Sequence, residues 1–180
     1  MSLPDHSIRL LIPSKETFTP DDLVEQIASV IYEKELLSVR NRVEELPELL
    51  KTIIWVIDFD TELSINGILG FFENSSGNYL NATIRTLRLI EAVEDADLLE
   101  QIEKRIEGID FSSEIELQPG QITTFEQRHR IDEQILSEIA ALAAQLYLSS
   151  EDRNIFDYLL KYLSKDWPAK SKELKQTISD

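Results

Sequence analysis

The sequence contains no cysteine in 180 residues. Disulfides, thiolate metal sites, iron–sulfur clusters and cysteine nucleophiles are therefore excluded by composition. Histidine is nearly as scarce, with only His6 and His129. His6 falls in a segment read as an arm. His129 lies between Arg128 and Arg130, two cations that would lower its pKa. Each is read as a surface residue rather than a catalytic base. No apolar run approaches the roughly 20 residues that span a bilayer. The opening Met-Ser-Leu-Pro-Asp-His-Ser lacks a basic start followed by an apolar stretch, so a signal peptide is not expected. These absences lead to the expectation of a cytoplasmic, non-enzymatic protein with no catalytic residues, no metal ligands and no cofactor.

Positive charge is also short. Thirty-four acids face 18 bases, for a net charge of −16. Such a chain is repelled by nucleic acid and by anionic membranes, and is attracted to basic partners. The deficit is uneven: residues 91–116 hold ten acids and only Lys104 and Arg105 as bases. That concentration favours a basic protein partner over mere solubility.

What is present is enough for a core. The apolar fraction is 42%, as in ordinary globular proteins. Ile8, Leu10 and Ile12 alternate in a possible short strand within an arm over residues 1–18. Thr19-Pro20-Asp21-Asp22 is a helix start, with a capping hydroxyl, a first-turn proline and two acids at the positive end of the dipole. Leu23, Ile27, Val30 and Ile31 carry that helix to about residue 40. A second helix begins near Pro47, apolar almost all round through Ile57, hence central and buried. Residues 60–77 follow, with three glycines and the Phe71-Phe72 pair; Ser75-Ser76-Gly77-Asn78 reads as a turn. Helices are expected over 78–93 and 94–108, a loop over 112–121, the longest helix over 124–148, and a last core helix through Ile155–Leu163. The fold class expected is all-α: a single-domain bundle of about six to eight helices over 19–165, with a lysine-rich tail over 166–180 that frays. The alanines at 140, 141, 143 and 144 allow close helix approach and could serve a homodimer.

Asp58, Asp60 and Glu62 alternate as loop ligands for a divalent cation would. The glycine and glutamate of a calcium loop do not fall in place, and on a helix the residues would simply share a face. A metal-dependent hydrolase or small-molecule site at these residues is kept as an alternative.

Glu62, Gly67, Phe71, Phe72, Asn74 and Gly77 form a spaced motif. It resembles that of the bacterial DNA-mimic-protein type domain family, whose pattern runs Glu-Val-x-Gly/Asn-Gly-aromatic-x-Gln-aromatic-aromatic-x-Asn, then Ser-Gly, then a helix. The resemblance covers about residues 45–110 and departs from the pattern at Ile68, usually aromatic, and Gly70, usually Gln. It implies an all-helical fold and a dimer whose carboxylates imitate DNA phosphates to sequester a DNA-binding regulator. Read from the residues alone, the motif is architectural: glycines for close approach or positive φ, phenylalanines for burial, and Glu62 and Asn74 to satisfy backbone donors.

The helix over 94–108 divides into an apolar face of Leu98, Leu99, Ile102 and Ile106 and an acidic face of Glu94, Asp97, Glu100, Glu103 and Glu107. That face is the expected partner surface, diluted by a Glu100–Lys104 pair. The function expected is acidic interaction with a basic protein, such as the DNA-binding surface of a transcriptional regulator, without direct contact to nucleic acid or membrane. An immunity or antitoxin-type protein is the other reading.

Overall fold

Thr19 starts its helix as the local chemistry dictates. In the computed structural model, which describes residues 5–107 and 132–179, the Thr19 hydroxyl oxygen accepts from the Asp22 N–H at 3.1 Å and the Asp22 carboxylate accepts from the Thr19 N–H at 2.9 Å. This reciprocal capping box satisfies two donors that a helix start would otherwise leave open. All regular structure among the described residues is helical, so the all-α expectation holds. The chain divides into two units by internal packing.

The first unit comprises Met1–Ile57 and Leu159–Asp180. It contains α1 (Asp5–Leu10), α2 (Pro20–Val30) and α3 (Leu37–Arg40), flanked by 3-10 turns at Lys34–Leu36 and Val43–Glu45. The start of α4 (Glu48–Glu73), most of α8 (Ile155–Ser164) and α9 (Trp167–Ser179) complete it. Three expectations are corrected here. The alternation at Ile8, Leu10 and Ile12 forms no strand: residues 8 and 10 lie in α1, because an isolated alternating triplet has no neighbour to pair its backbone. The helix from Pro20 stops at Val30 instead of near residue 40. Buried Ile27 and Ile31 are followed by Leu36 and Val39, and this gap of five breaks the stripe that one straight helix could bury. The lysine-rich end is the helix α9. Leu174 is buried, and Lys170 Nζ donates to the Tyr162 carbonyl at 2.5 Å while lying 4.3 Å from the Tyr162 ring centre. The ammonium thereby caps the C-terminal turn of α8, where the dipole favours a cation.

The second unit is Asp58–Tyr158. It holds the rest of α4, a 3-10 turn at Ser75–Tyr79, α5 (Leu80–Leu89), α6 (Val93–Glu107), α7 (Glu133–Ala143) and a 3-10 turn at Tyr147–Ser149. α6 packs against both α5 and α7. Phe59, Phe71, Phe72, Leu87, Leu99 and Ile102 are fully buried. The rings of Phe59 and Phe71 meet edge to face at 5.4 Å, as do those of Phe71 and Phe72 at 5.3 Å.

α4 continues through residues 60–73, where the sequence pattern assigns no element, and its 26 residues are two helical stretches joined at a kink at Gly67. The expected 124–148 helix is shorter. Its first part, the 112–121 loop, Gly108 and His129 lie outside the described residues. Its described part ends at Ala143, because Leu146 turns extended and the chain closes a 3-10 turn. No helix among the described residues is long and apolar enough to cross a membrane. α4 has the length, but it carries Glu48, Lys51, Asp58, Asp60, Glu62 and Glu73.

Candidate functional site

The α5–α6 corner sets the acidic helix. Glu91 adopts a positive φ of 72°, the Glu91 N–H donates to the Arg88 carbonyl at 3.1 Å, and the Ala92 N–H donates to the Leu87 carbonyl at 2.8 Å. This is the Schellman closure of a helix end, built with glutamate where glycine is usual. The chain then turns directly into α6, with Glu94 and Asp95 in its first turn.

α6 has the two faces expected. Leu98, Leu99, Ile102 and Ile106 are buried, Glu94 and Asp97 are exposed, and Glu100 and Glu103 are partly exposed. The Glu107 side chain lies outside the described residues. The acidic face is laced by arginines from neighbouring segments. Arg88 of α5 reaches Asp97 at 2.7 Å and Glu100 at 2.8 Å through one terminal nitrogen. Arg153 stands 2.9 Å from Glu94, an ion pair whose angle does not make a hydrogen bond. Glu100 thus pairs across the α5–α6 contact, rather than along its own helix with Lys104 as the sequence suggests. Farther along, Arg105 pairs with Glu138 of α7 at 2.7 Å. Asp97 and Arg88 are 53% and 41% exposed, so water screens their attraction and the pair contributes little to stability.

Beneath this surface lies a polar cluster. Asp95 is 1% exposed. One of its oxygens accepts from the Tyr147 N–H at 2.8 Å; the other accepts no hydrogen bond among the described residues and faces Arg153 at 3.8 Å. Burial pushes the Asp95 carboxyl above its ordinary range, against the Tyr147 N–H and the Arg153 charge. The Tyr147 hydroxyl donates to Asp60 at 2.7 Å, and burial followed by that bond raises its pKa. Arg153 also donates to the Gln145 carbonyl. Asp95, Tyr147 and Arg153 are absent from the residues picked out by sequence. For Asp95 the signal was available: it stands three and four residues before Leu98 and Leu99, on the apolar side of the wheel.

Asp58, Asp60 and Glu62 lie on α4 and serve separate ends. Asp58 is buried, Asp60 receives Tyr147, and Glu62 accepts from Asn66 at 2.8 Å and from Asn74 at 2.6 Å. Among the described residues no three acidic or histidine side chains converge on a common point for a cation.

The spaced motif forms an elbow in α4. Gly67 has φ 66° and ψ −176°, a region essentially reserved for glycine, and interrupts the helical geometry. At Gly70 an added Cβ would lie 2.2 Å from the Asn66 Cβ. Positive φ and close approach, the two roles open to these glycines, are thus divided between them. Glu62 and Asn74 bond each other across the elbow rather than capping backbone donors. Phe71, Phe72 and Gly77 are buried behind it.

No curated protein and no solved structure matches the chain. A family model described as DMP19-like protein matches residues 44–166, a span that contains the glycine elbow, the acidic helix and the Asp95–Tyr147–Arg153 cluster. With well over half of its length inside that match, the chain belongs to the DMP19-like protein family.

Proposed function

We propose that this protein is a non-catalytic DNA mimic, whose second unit presents a negative surface to the DNA-binding site of a basic partner such as a transcriptional regulator. One observation carries the reading. Asp58–Tyr158 holds 21 acids and 7 bases, a net charge of −14, whereas the rest of the chain holds 13 and 11, a net of −2. An acidity serving solubility alone has no reason to gather in one unit. α6 projects Asp97, Glu100 and Glu103 at one-turn intervals of about 5 Å, a repeat of the same order as phosphates along a DNA strand. Membership of the DMP19-like family supports the same reading. Arg88 acts as an internal counter-ion that a partner's cations replace or join, and the exchange costs little because its pairs are exposed and hold weakly.

The test is competition. Immobilised protein, loaded at low salt with proteins first retained on DNA–cellulose, is expected to bind a subset that elutes on a salt gradient and that duplex DNA displaces. Asp97→Asn, Glu100→Gln and Glu103→Gln together are expected to abolish retention without loss of helical circular dichroism. Retention that duplex DNA leaves untouched would count against mimicry and toward a toxin-neutralising role.

A further inference from the structure

Among its described residues the second unit exposes four large apolar side chains, Ile65, Leu89, Val93 and Leu148. Three of the four stand at the N-terminal end of α6. Leu89 closes α5 and Val93 opens α6, on either side of the left-handed Glu91. Leu148 follows Tyr147, whose N–H donates to Asp95 in the first turn of α6 at 2.8 Å. Each of the three is close to half exposed. Scattered singly, such residues are ordinary; gathered at one corner, they mark a contact surface.

The charge around them is negative. Residues 85–100 and 147–153, which build this corner, hold seven acids and three arginines. Arg88 and Arg153 are each shared between two carboxylates, so pairing leaves the acids in surplus. Glu151 and Asp152 are exposed and form no ion pair among the described residues. Asp97 and Glu100 follow Val93 one and two turns later on α6, so an apolar contact and two carboxylates share one helix face. A phosphate backbone presents charge and no leucine, and imitation of DNA alone gives these apolar side chains no use.

We propose that this corner is a specificity anchor for a basic amphipathic helix of the partner protein. Apolar side chains of that helix cover Leu89, Val93 and Leu148, while its lysines and arginines lie along α6 toward Asp97 and Glu100. The inference rests on the acidic surface being the partner site and adds what that surface reads besides charge. An apolar centre inside a charged rim is the anatomy of a protein interface. Charge alone attracts any cationic surface; the anchor selects among them.

Two fluorescein-labelled helical peptides of equal charge test this by anisotropy with the full chain. One carries leucines one turn apart at the end of a face of arginines; the other has serines in place of those leucines. The leucine peptide is expected to bind about tenfold tighter, and both affinities to fall with salt. Leu89→Ser together with Val93→Ser should erase that advantage and leave the affinity and salt dependence of the serine peptide unchanged. Ile65→Ser should alter neither peptide. If the double change disturbs the fold by circular dichroism, Leu148→Ser decides alone, with the advantage expected to fall about threefold. Equal affinity of the two peptides, or an advantage that survives the serine changes, overturns the anchor and leaves the acidic-surface reading standing. Binding that is indifferent to salt overturns that reading and the anchor with it. Self-association of the free chain that the same serines abolish assigns the corner to a second copy and likewise overturns the proposal.

Discussion

Glu91 occupies the position in a Schellman closure that glycine fills best. A left-handed conformation costs a residue bearing a Cβ about 1 kcal/mol. Glu91→Gly keeps both closing hydrogen bonds, at Ala92 and Glu91, and removes that strain. Against it stand the greater backbone entropy of glycine in the unfolded chain and the loss of the Glu91 side chain's own interaction. The expected result is a net gain of about 0.5 kcal/mol, read as a higher urea midpoint at unchanged m-value; a lower midpoint would mean that the side chain's interaction outweighs the strain. A second residue-scale expectation concerns pH. Burial raises the Asp95 pKa in the folded chain above its unfolded value, so the folded state holds more protons in the window between the two. The stability contributed by Asp95 is therefore fully present below the unfolded pKa and is lost as pH rises through the folded pKa. Asp22 runs the other way: Lys15 and the Thr19 N–H hold it at about 2, and its contribution disappears as pH falls below the usual carboxylate value. The windows do not coincide. Between neutrality and about pH 4, wild type should gain more stability on acidification than Asp95→Asn, measured as the difference in their urea midpoints at each pH. Equal slopes would place the origin of the pH response elsewhere.

At the scale of elements, α5 and α6 are coupled by Arg88, whose one terminal nitrogen serves two carboxylates. Arg88→Gln removes the internal counter-ion. Because the groups are exposed, stability should scarcely change, while a basic partner meets Asp97 and Glu100 uncovered and should elute at higher salt than from wild type. Unchanged or earlier elution would show that Arg88 supports the acidic surface rather than masking it. This pairing also marks the limit of what the sequence disclosed. Periodicity located α2, α4, α5, α6 and α8, because each buries an apolar stripe of its own and its start carries a local signal, as Thr19 and Pro47 do. It located their ends less well. α2 stops where the stripe skips from Ile31 to Leu36, and α4 passes through Gly67 because the elbow is held by Glu62 and Asn74, 12 residues apart. The polar cluster joins residues up to 87 apart, Asp60 and Tyr147. No local pattern encodes such a distance, so the two faces of α6 were legible and the arginines that cross to its acidic face were not.

For the molecule as a whole, salt has two effects of opposite sign, and together they test whether net charge or specific pairs govern the acidic unit. A net charge of −14 gathered in Asp58–Tyr158 repels itself in the compact state more than in the extended chain. Screening lengths shrink from about 30 Å at 0.01 M salt to about 8 Å at physiological ionic strength. Raising sodium chloride across that range should therefore raise Tm by a few degrees, as self-repulsion fades. The ion pairs at Arg88, Arg105 and Arg153 work against the rise, since the same ions weaken them, but those at Arg88 and Arg105 are exposed and contribute little. Over the same range, affinity for a basic partner should fall steeply, because every carboxylate–cation contact between the two surfaces is screened. Thermal melts and binding titrations on one salt series thus give curves of opposite slope if repulsion dominates. A Tm that falls with salt would show that the arginine pairs outweigh the net charge, and the surface would then be a neutralised, salt-bridged helix face instead of one that a cationic partner can read.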